Sequence, residues 1–230
     1  MRDQTELEQI IGYTFKNKHF LTVALTHSSY ANESKNKGNI LKDNERIEFL
    51  GDAVLELTSS TFLFHHYKEL PEGKLTKLRA SLVCEQALAM CAKEIDLGSF
   101  ILLGKGEEMT GGRQRPSVTS DAFESLIGAI YLDGGFEQAN NFVIRFVLND
   151  IEHKKLFSDC KTRLQEIVQK YYPKEQLHYE LIKEDGPDHL KQFEIVAMVG
   201  EKVVGHGISH TKKDAEQQAA FEAVTKMKKD

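Results

Sequence analysis

The sequence predicts a multidomain protein, an all-α domain followed by a small α+β domain, and three observations lead there. The chain has 230 residues, enough for one medium and one small domain. From residue 6 to about 151, apolar residues recur three and four apart and no convincing strand interrupts them. After residue 159 the rhythm changes, and β-branched and aromatic segments with partial alternation lie between two helical ones. The boundaries drawn are 1–152 for the helical domain, 153–158 for a linker and 159–230 for the second domain.

In the first domain the helical segments are "HFLTVALTH", "ERIEFLGDAVLELTSSTFLFHHY", "KLTKLRASLVCEQALAMCAKEI", "SDAFESLIGAIYLD" and "FEQANNFVIRFVLNDI". Gly38-Asn39, Pro71, the Gly-rich "LGKGEEMTGGRQRPS" and Gly134-Gly135 break them apart. The polar "ESKNKGNILKDN" reads as an exposed loop, and "EHKKLFSD" contains the linker. In the second domain "CKTRLQEIVQKYY" is helical, and "QLHYELIKE", "KQFEIVAMVG" and "EKVVGHGIS" are strands turned by "DGP" and "GE". "TKKDAEQQAAFEAVTKM" closes as a helix capped at or beside Thr211. The order α-β-β-β-α predicts a three-stranded antiparallel sheet with both helices on one face.

Composition narrows the function classes. With 40% apolar and 28% charged residues the chain is an ordinary soluble type. The start, "MRDQTELEQIIGYTF", lacks a signal peptide's apolar stretch, and no run approaches the roughly 18 apolar residues of a membrane span. Cys84, Cys91 and Cys160 fit neither a disulfide framework nor a zinc ribbon, so free thiols in a reducing cytoplasm are expected. Net charge is −5, and from residue 158 onward 12 Lys+Arg face 13 Asp+Glu. Neither part is basic in bulk, so any phosphate contact has to come from local clustering. The Gly-rich loop lacks the GxxxxGK[ST] order and follows no strand, which excludes a nucleotide cofactor there.

The stretch "NERIEFLGDAVLEL" poses a sharper question. At about 100° per residue, Glu45, Glu48, Asp52 and Glu56 fall within roughly 80° of arc, while Ile47, Leu50, Val54, Leu57 and Thr61 centre near 160°. Like charges at this spacing cost a few tenths of a kcal/mol per pair. Far along the chain, Asp121 and Glu124 in "SDAFESLIGAIYL" share a face, apart from Ala122, Ile127, Ile130 and Tyr131. If the two edges meet, they form an oxygen-only cluster suited to a hard dication such as Mg2+. If they do not, both are solvated helix faces, and spacing alone leaves the two readings open.

"NERIEFLGDAVLEL" closely resembles the signature of the ribonuclease III family. "ALTHSSYAN" upstream, "LPEGKLTKLRASLV" and "SDAFESLIGAIYLD" resemble the family's other landmarks in order, and residues 160–227 are similar to a double-stranded-RNA-binding domain. The resemblance implies a metal-dependent endonuclease that hydrolyses double-stranded RNA, leaving 5′-phosphate and 3′-hydroxyl ends with short 3′ overhangs. It also implies processing of ribosomal and messenger precursors in the cytoplasm. Glu48, Asp52, Asp121 and Glu124 match the family's principal metal ligands, for Mg2+ with Mn2+ able to substitute. Glu45 and Glu72 match acids that line the same cleft and support cleavage, as Asp52 and Glu124 do directly. Glu56 matches no acid with a role. His27 matches a family position, and a structural histidine is the expected reading. Gly51 sits between two apparent ligands, where a side chain would crowd a neighbouring helix or the RNA backbone.

The family forms symmetric homodimers with an aromatic packed across the two-fold, and Phe49 occupies that place, against the alternative of a core Phe. For duplex RNA, whose shape, 2′-hydroxyls and phosphates are read, Thr162, Gln165 and Glu166 match the first helix's contacts. His189 in "GPDH" matches the strand turn, and Lys212 and Lys213 the phosphate contacts at the final helix. Asp214 lowers the local charge there. Arg113 and Arg115 are candidates for the RNA backbone or plain solvated charge. Three rival readings are a fold that keeps binding without chemistry, a hydrolase of another phosphodiester, and a scaffold with a structural acidic groove. All matched acids are present, and the second domain favours duplex RNA.

Overall fold

The computed structural model describes residues 2–36, 38, 40–149, 151–186, 191–209 and 211–227, with the backbone alone for 152–159. Two compact units divide the chain, Met1–Ile151 and Glu152–Asp230. The first is helical: α1 (Gln4–Ile11), α2 (Lys18–Ala24), α3 (Ser28–Lys35), α4 (Glu45–His66), α5 (Glu72–Leu82), α6 (Glu85–Glu94), α7 (Lys105–Met109), α8 (Pro116–Gly134) and α9 (Phe136–Phe146). Local chemistry starts and stops these helices. Asp3 and Asn17 accept the amides of Thr5 and His19 and so cap α1 and α2. Pro116, with no amide hydrogen to lose, opens α8, and Gly135 at φ +82° takes the chain out of it.

α8 is the axis of this unit. Ala122, Phe123, Leu126, Ile127, Ala129 and Ile130 have no exposed surface, and α2, α4, α6 and α9 pack around them. A helix apolar on nearly every side has to be enclosed. The N-terminal end of α4 is pinned beside it. Thr26 bridges Leu102, the Asn44 amide donates to the Thr26 carbonyl at 2.9 Å, and the buried Ser125 hydroxyl of α8 donates to the Asn44 carbonyl at 3.3 Å.

α4 and α8 cross in backbone contact. A Cβ on Gly51 would stand 1.8 Å from the Glu124 carbonyl oxygen, and one on Gly128 would stand 2.3 Å from the Ile47 carbonyl oxygen. Each glycine therefore serves the same crossing from opposite sides. Of the two neighbours anticipated at Gly51, the structure supplies the helix.

The apolar side of α4 differs from the expected one. Gly51, Val54, Leu55, Thr58, Ser59 and Leu63 are buried, an arc centred at roughly 250° on the same wheel. Leu57 is 56% exposed and Thr61 is exposed. The reason is that α4 is apolar on two sides. Small residues face α8, while Phe49, Ala53, Leu57 and Phe64 form a second stripe open to solvent.

The second unit holds α10 (Ile151–Tyr171), β1 (Leu177–Asp185), β2 (Gln192–Val199), β3 (Lys202–Ser209) and α11 (Lys212–Met227). The strands form an antiparallel sheet in the order β1-β2-β3. Cys160, Leu164 and Val168 of α10, Ala197 and Val199 of β2, and Ala219, Ala220, Ala223 and Val224 of α11 make its core. Both helices thus cover one face of the sheet, as the element order predicts. Gly200 at φ +60° begins the two-residue turn between β2 and β3, where Val199 pairs with Lys202. Residues 153–158, expected as a linker, have helical backbone within α10. They hold good helix formers and neither Gly nor Pro, so nothing local stops the helix.

Substituting Gly51→Ala is expected to cost about 1–3 kcal/mol as the two backbones are forced apart. Thermal unfolding of the variant checks this, and an unchanged midpoint would contradict the close crossing.

Candidate functional site

The crossing of α4 and α8 sets carboxylates from both helices against one another. Glu48, Asp121 and Glu124 each offer an oxygen within 4.8 Å of the others. All three are half-buried at the crossing, beside Gly51. Asp52, one turn after Glu48, is exposed, as is Glu45, one turn before it.

Burial and crowding keep the cluster from ionising freely. Glu124 is pushed up to about 8, first by burial and then by Asp52, Glu48 and Asp121. Glu48 is pushed up to about 7 by burial and then by Asp121, Glu45 and Asp52. Asp121 is raised by burial, against the pull of the Ser120 hydroxyl and of His27. Charge of one sign, half removed from water and built of oxygen alone, is what a hard dication neutralises, so these residues fit a hard divalent cation. Asp52 belongs to the same electrostatic group, although its carboxylate lies outside the tight triplet.

The remaining sequence candidates fall into different places. His27 caps α3: its Nδ1 accepts the Ser29 amide at 3.2 Å and lies 2.8 Å from the Ser29 hydroxyl. Its place is that of a helix cap, which is the structural reading expected. Glu72 opens α5, accepts the Thr76 hydroxyl at 2.9 Å, and is not among the groups acting on Glu48, Asp121 or Glu124. Within one chain the structure does not bring Glu72 to the cluster.

Glu56, which carried no assignment, accepts Arg79 of α5 at 2.8 Å, and Arg79 also donates to the Ser60 hydroxyl at 2.8 Å. The fourth acid of the edge therefore ties α5 to α4. Arg113 donates to the carbonyls of Gly98 and Ile101 and to Glu108, while Arg115 pairs with Glu107 and donates to Thr110. Both guanidinium groups are engaged within their own region of the fold, because the acids of α7 lie beside them.

Phe49 is 79% exposed, which rules out the core alternative within this chain. In the second unit, Thr162, Gln165 and Glu166 lie exposed on the side of α10 opposite the buried Cys160, Leu164 and Val168. Lys212 and Lys213 open α11 and are exposed. Thr211 caps that helix, accepting the Asp214 amide at 3.1 Å and donating to the Asp214 carboxylate at 2.8 Å. Asp214 is thus part of the helix cap as well as a charge that offsets the lysines. His189 lies outside the described residues.

Sequence reasoning missed Gly128 and the Ser125–Asn44 bond. A glycine inside an otherwise apolar helix signals close backbone approach, so Gly128 was within reach. The serine bond has no local signal, since its partner is a carbonyl on a distant segment.

Residues 17–151 match the family model described as Ribonuclease-III-like, and residues 160–227 match the double-stranded RNA binding motif. The chain is 47% identical over 226 residues to ribonuclease 3 of Caldanaerobacter subterraneus subsp. tengcongensis, covering 97% of each chain. It is 45% identical over 229 residues to ribonuclease 3 of Listeria monocytogenes, covering 99% of each. Among solved structures it is similar to the nuclease domain of ribonuclease III from Campylobacter jejuni, at 45% identity and a TM-score of 0.58, covering 64% of this chain and 95% of that one. A second structure of that domain, with the same identity and TM-score over 63% of this chain and 96% of that one, concerns flexibility in a region involved in dimer formation.

Because folding raises the Glu48 and Glu124 pKa values above the ordinary 4.5, the native state holds protons that the unfolded chain has released. Metal-free protein should therefore lose stability as pH rises from about 5 to about 8, and Glu124→Gln should remove part of that loss. Melting curves against pH, with chelator and with Mg2+, check the slope. A wild-type midpoint that rises over this range without metal would contradict the cluster's electrostatics.

Proposed function

The chain belongs to the ribonuclease III family, and from that premise and the acidic crossing we propose that it is an endonuclease of double-stranded RNA dependent on Mg2+, with Mn2+ able to substitute. The observation that carries this reading is the oxygen triplet of Glu48, Asp121 and Glu124, which two helices in backbone contact hold together. The ion would be held by those three, with Asp52 completing the donor set from its exposed side. Bound there, it supplies a water of lowered pKa and offsets the charge of the phosphate.

The chain's own residues prepare that step. Near neutral pH the Glu48 and Glu124 carboxyl oxygens retain protons, which a cation displaces on entering. Glu45, exposed beside Glu48, adds negative charge at the mouth of the cluster. The α4–α8 crossing keeps the ligands in place while water attacks phosphorus and the 3′ oxygen departs, leaving 5′-phosphate and 3′-hydroxyl ends. Ribosomal and messenger RNA precursors with paired segments are the substrates of this reading, in the cytoplasm. Cys84, Cys91 and Cys160 form no disulfide with one another, which accords with a reducing compartment. Among the described residues no helix is long and apolar enough to cross a membrane.

The working form is a homodimer. The exposed stripe of Phe49, Ala53, Leu57 and Phe64 supports it, because a row of apolar side chains on one helix gains by packing against its two-fold copy. Two sites related by that axis would each cut one strand, giving short 3′ overhangs.

RNA is held through α10 and the start of α11. Thr162, Gln165 and Glu166 face the minor groove, and Lys212 and Lys213 face phosphates at the N-terminal end of α11. Lys212→Ala/Lys213→Ala should weaken filter binding of a duplex and flatten its salt dependence by about one to two contacts' worth of slope. Unchanged affinity and slope would refute these contacts.

The direct test of the enzyme reading uses an end-labelled RNA duplex in Mg2+, in Ca2+ and in EDTA, with Glu124→Ala alongside. Cleavage is expected in Mg2+ alone, and the variant should lose it while still shifting the duplex in a gel. A shift without cleavage in any metal would make the chain a duplex-RNA-binding protein with an idle catalytic fold.

A further inference from the structure

The phosphate-facing end of the second unit carries an acid that no part of the proposed activity uses. Glu184 lies near the end of β1 and pairs in register with Phe193 of β2. The Lys191 ammonium approaches its carboxylate at 2.8 Å and the Lys212 ammonium at 3.8 Å. The Lys212 ammonium also sits 5.3 Å from the centre of the Phe193 ring. The two lysines hold the Glu184 carboxyl below its ordinary range, Lys191 first. Lys183 does not share this arrangement, since it pairs with Asp185 at 2.6 Å.

From this geometry we propose that Glu184 is an affinity-limiting residue, an internal anion that occupies Lys191 and Lys212 and competes with RNA phosphate for them. The inference deepens the duplex-RNA reading and rests on it. A phosphate arriving at the start of α11 meets a lysine already turned toward a carboxylate and laid over an aromatic ring. It has either to displace that carboxylate or to bind in its field. Either way a lysine neutralised in advance releases fewer counterions from the duplex, and counterion release drives electrostatic binding to a duplex polyanion. The pairs are exposed, so water and salt exchange with them freely and the contest is close. In a chain with a formal net charge of −5, an acid set against Lys212 holds duplex affinity below what that lysine alone would give.

The test is filter binding of a short RNA duplex by the full chain, with Ca2+ in place of Mg2+, across a series of salt concentrations. Glu184→Gln keeps the side-chain volume and removes the charge. The variant should bind more tightly, with a slope of log K against log salt steeper by about 0.7–0.9, worth up to about eightfold near 0.1 M salt. The gain should shrink in the Glu184→Gln/Lys212→Ala background, which a general change in folding would not produce. Equal or weaker binding by Glu184→Gln, with the wild type binding normally, overturns this proposal alone. Weaker binding would mean that Glu184 orients the lysines for RNA, and equal binding that its charge does not reach the RNA contact. No duplex binding by either protein removes the underlying reading and this inference together.

Discussion

The closeness of α4 to α8 at Gly51 and Gly128 is the constraint on which the rest depends. Two helices normally pack with axes 8–10 Å apart, held off by side chains. Here neither helix has a Cβ at the crossing, and backbone meets backbone. Only with that separation removed do carboxylates from both helices come within 4.8 Å of each other. The crossing is held from several directions. Phe123, Leu126 and Ile127 anchor α8 in the core, Asn44 and Ser125 fix the start of α4, and Arg79 ties its middle to α5 through Glu56 and Ser60.

That arrangement works against the folded state when no cation is present. Half-buried acids that raise one another's pKa values oppose folding increasingly from about pH 5 to about 8, so the apolar packing around α8 has to offset them. A dication bound there would reverse the sign, since each charge that repels its neighbours would attract the ion. On the proposed reading, stability in the core and the cleft's chemistry would be opposed without metal and aligned with it. The second unit is organised differently. Its packing is made close by Gly205 and Gly207 of β3, where a Cβ would stand 2.0 Å from the Ala219 carbonyl oxygen and 2.1 Å from that of Ala215 in α11. What it contributes is a surface whose charges are finely balanced.

Much of this was legible in the sequence, for identifiable reasons. Helical spacing, the breakers at Pro71 and Gly134-Gly135, and the change of rhythm near residue 159 are local signals, and local hydrogen bonding obeys them. The acids were legible as two edges. Their meeting was not, since spacing cannot say which faces touch, and there the family resemblance supplied the answer. The buried side of α4 was aimed about a quarter-turn wrong because the helix carries two apolar arcs, and only the presence of α8 decides between them. Glu56 lies on the same edge as Glu48 and Asp52, yet meets Arg79 instead of the cluster, a distinction made by α5 alone. Glu72 matches a cleft acid by motif but stands apart from the cluster in a single chain. The segment 153–158 read as a linker because it separates two patterns, although nothing in its residues ends a helix.

The central claim is that the α4–α8 crossing builds a cation site, and the most direct measurement is anomalous scattering from crystals grown with Mn2+. A peak bounded by the carboxylates of Glu48, Asp121 and Glu124, within about 2.0–2.5 Å of their oxygens, is the result this account predicts. Ordered Mn2+ elsewhere on the molecule, with none among those three carboxylates, would contradict it.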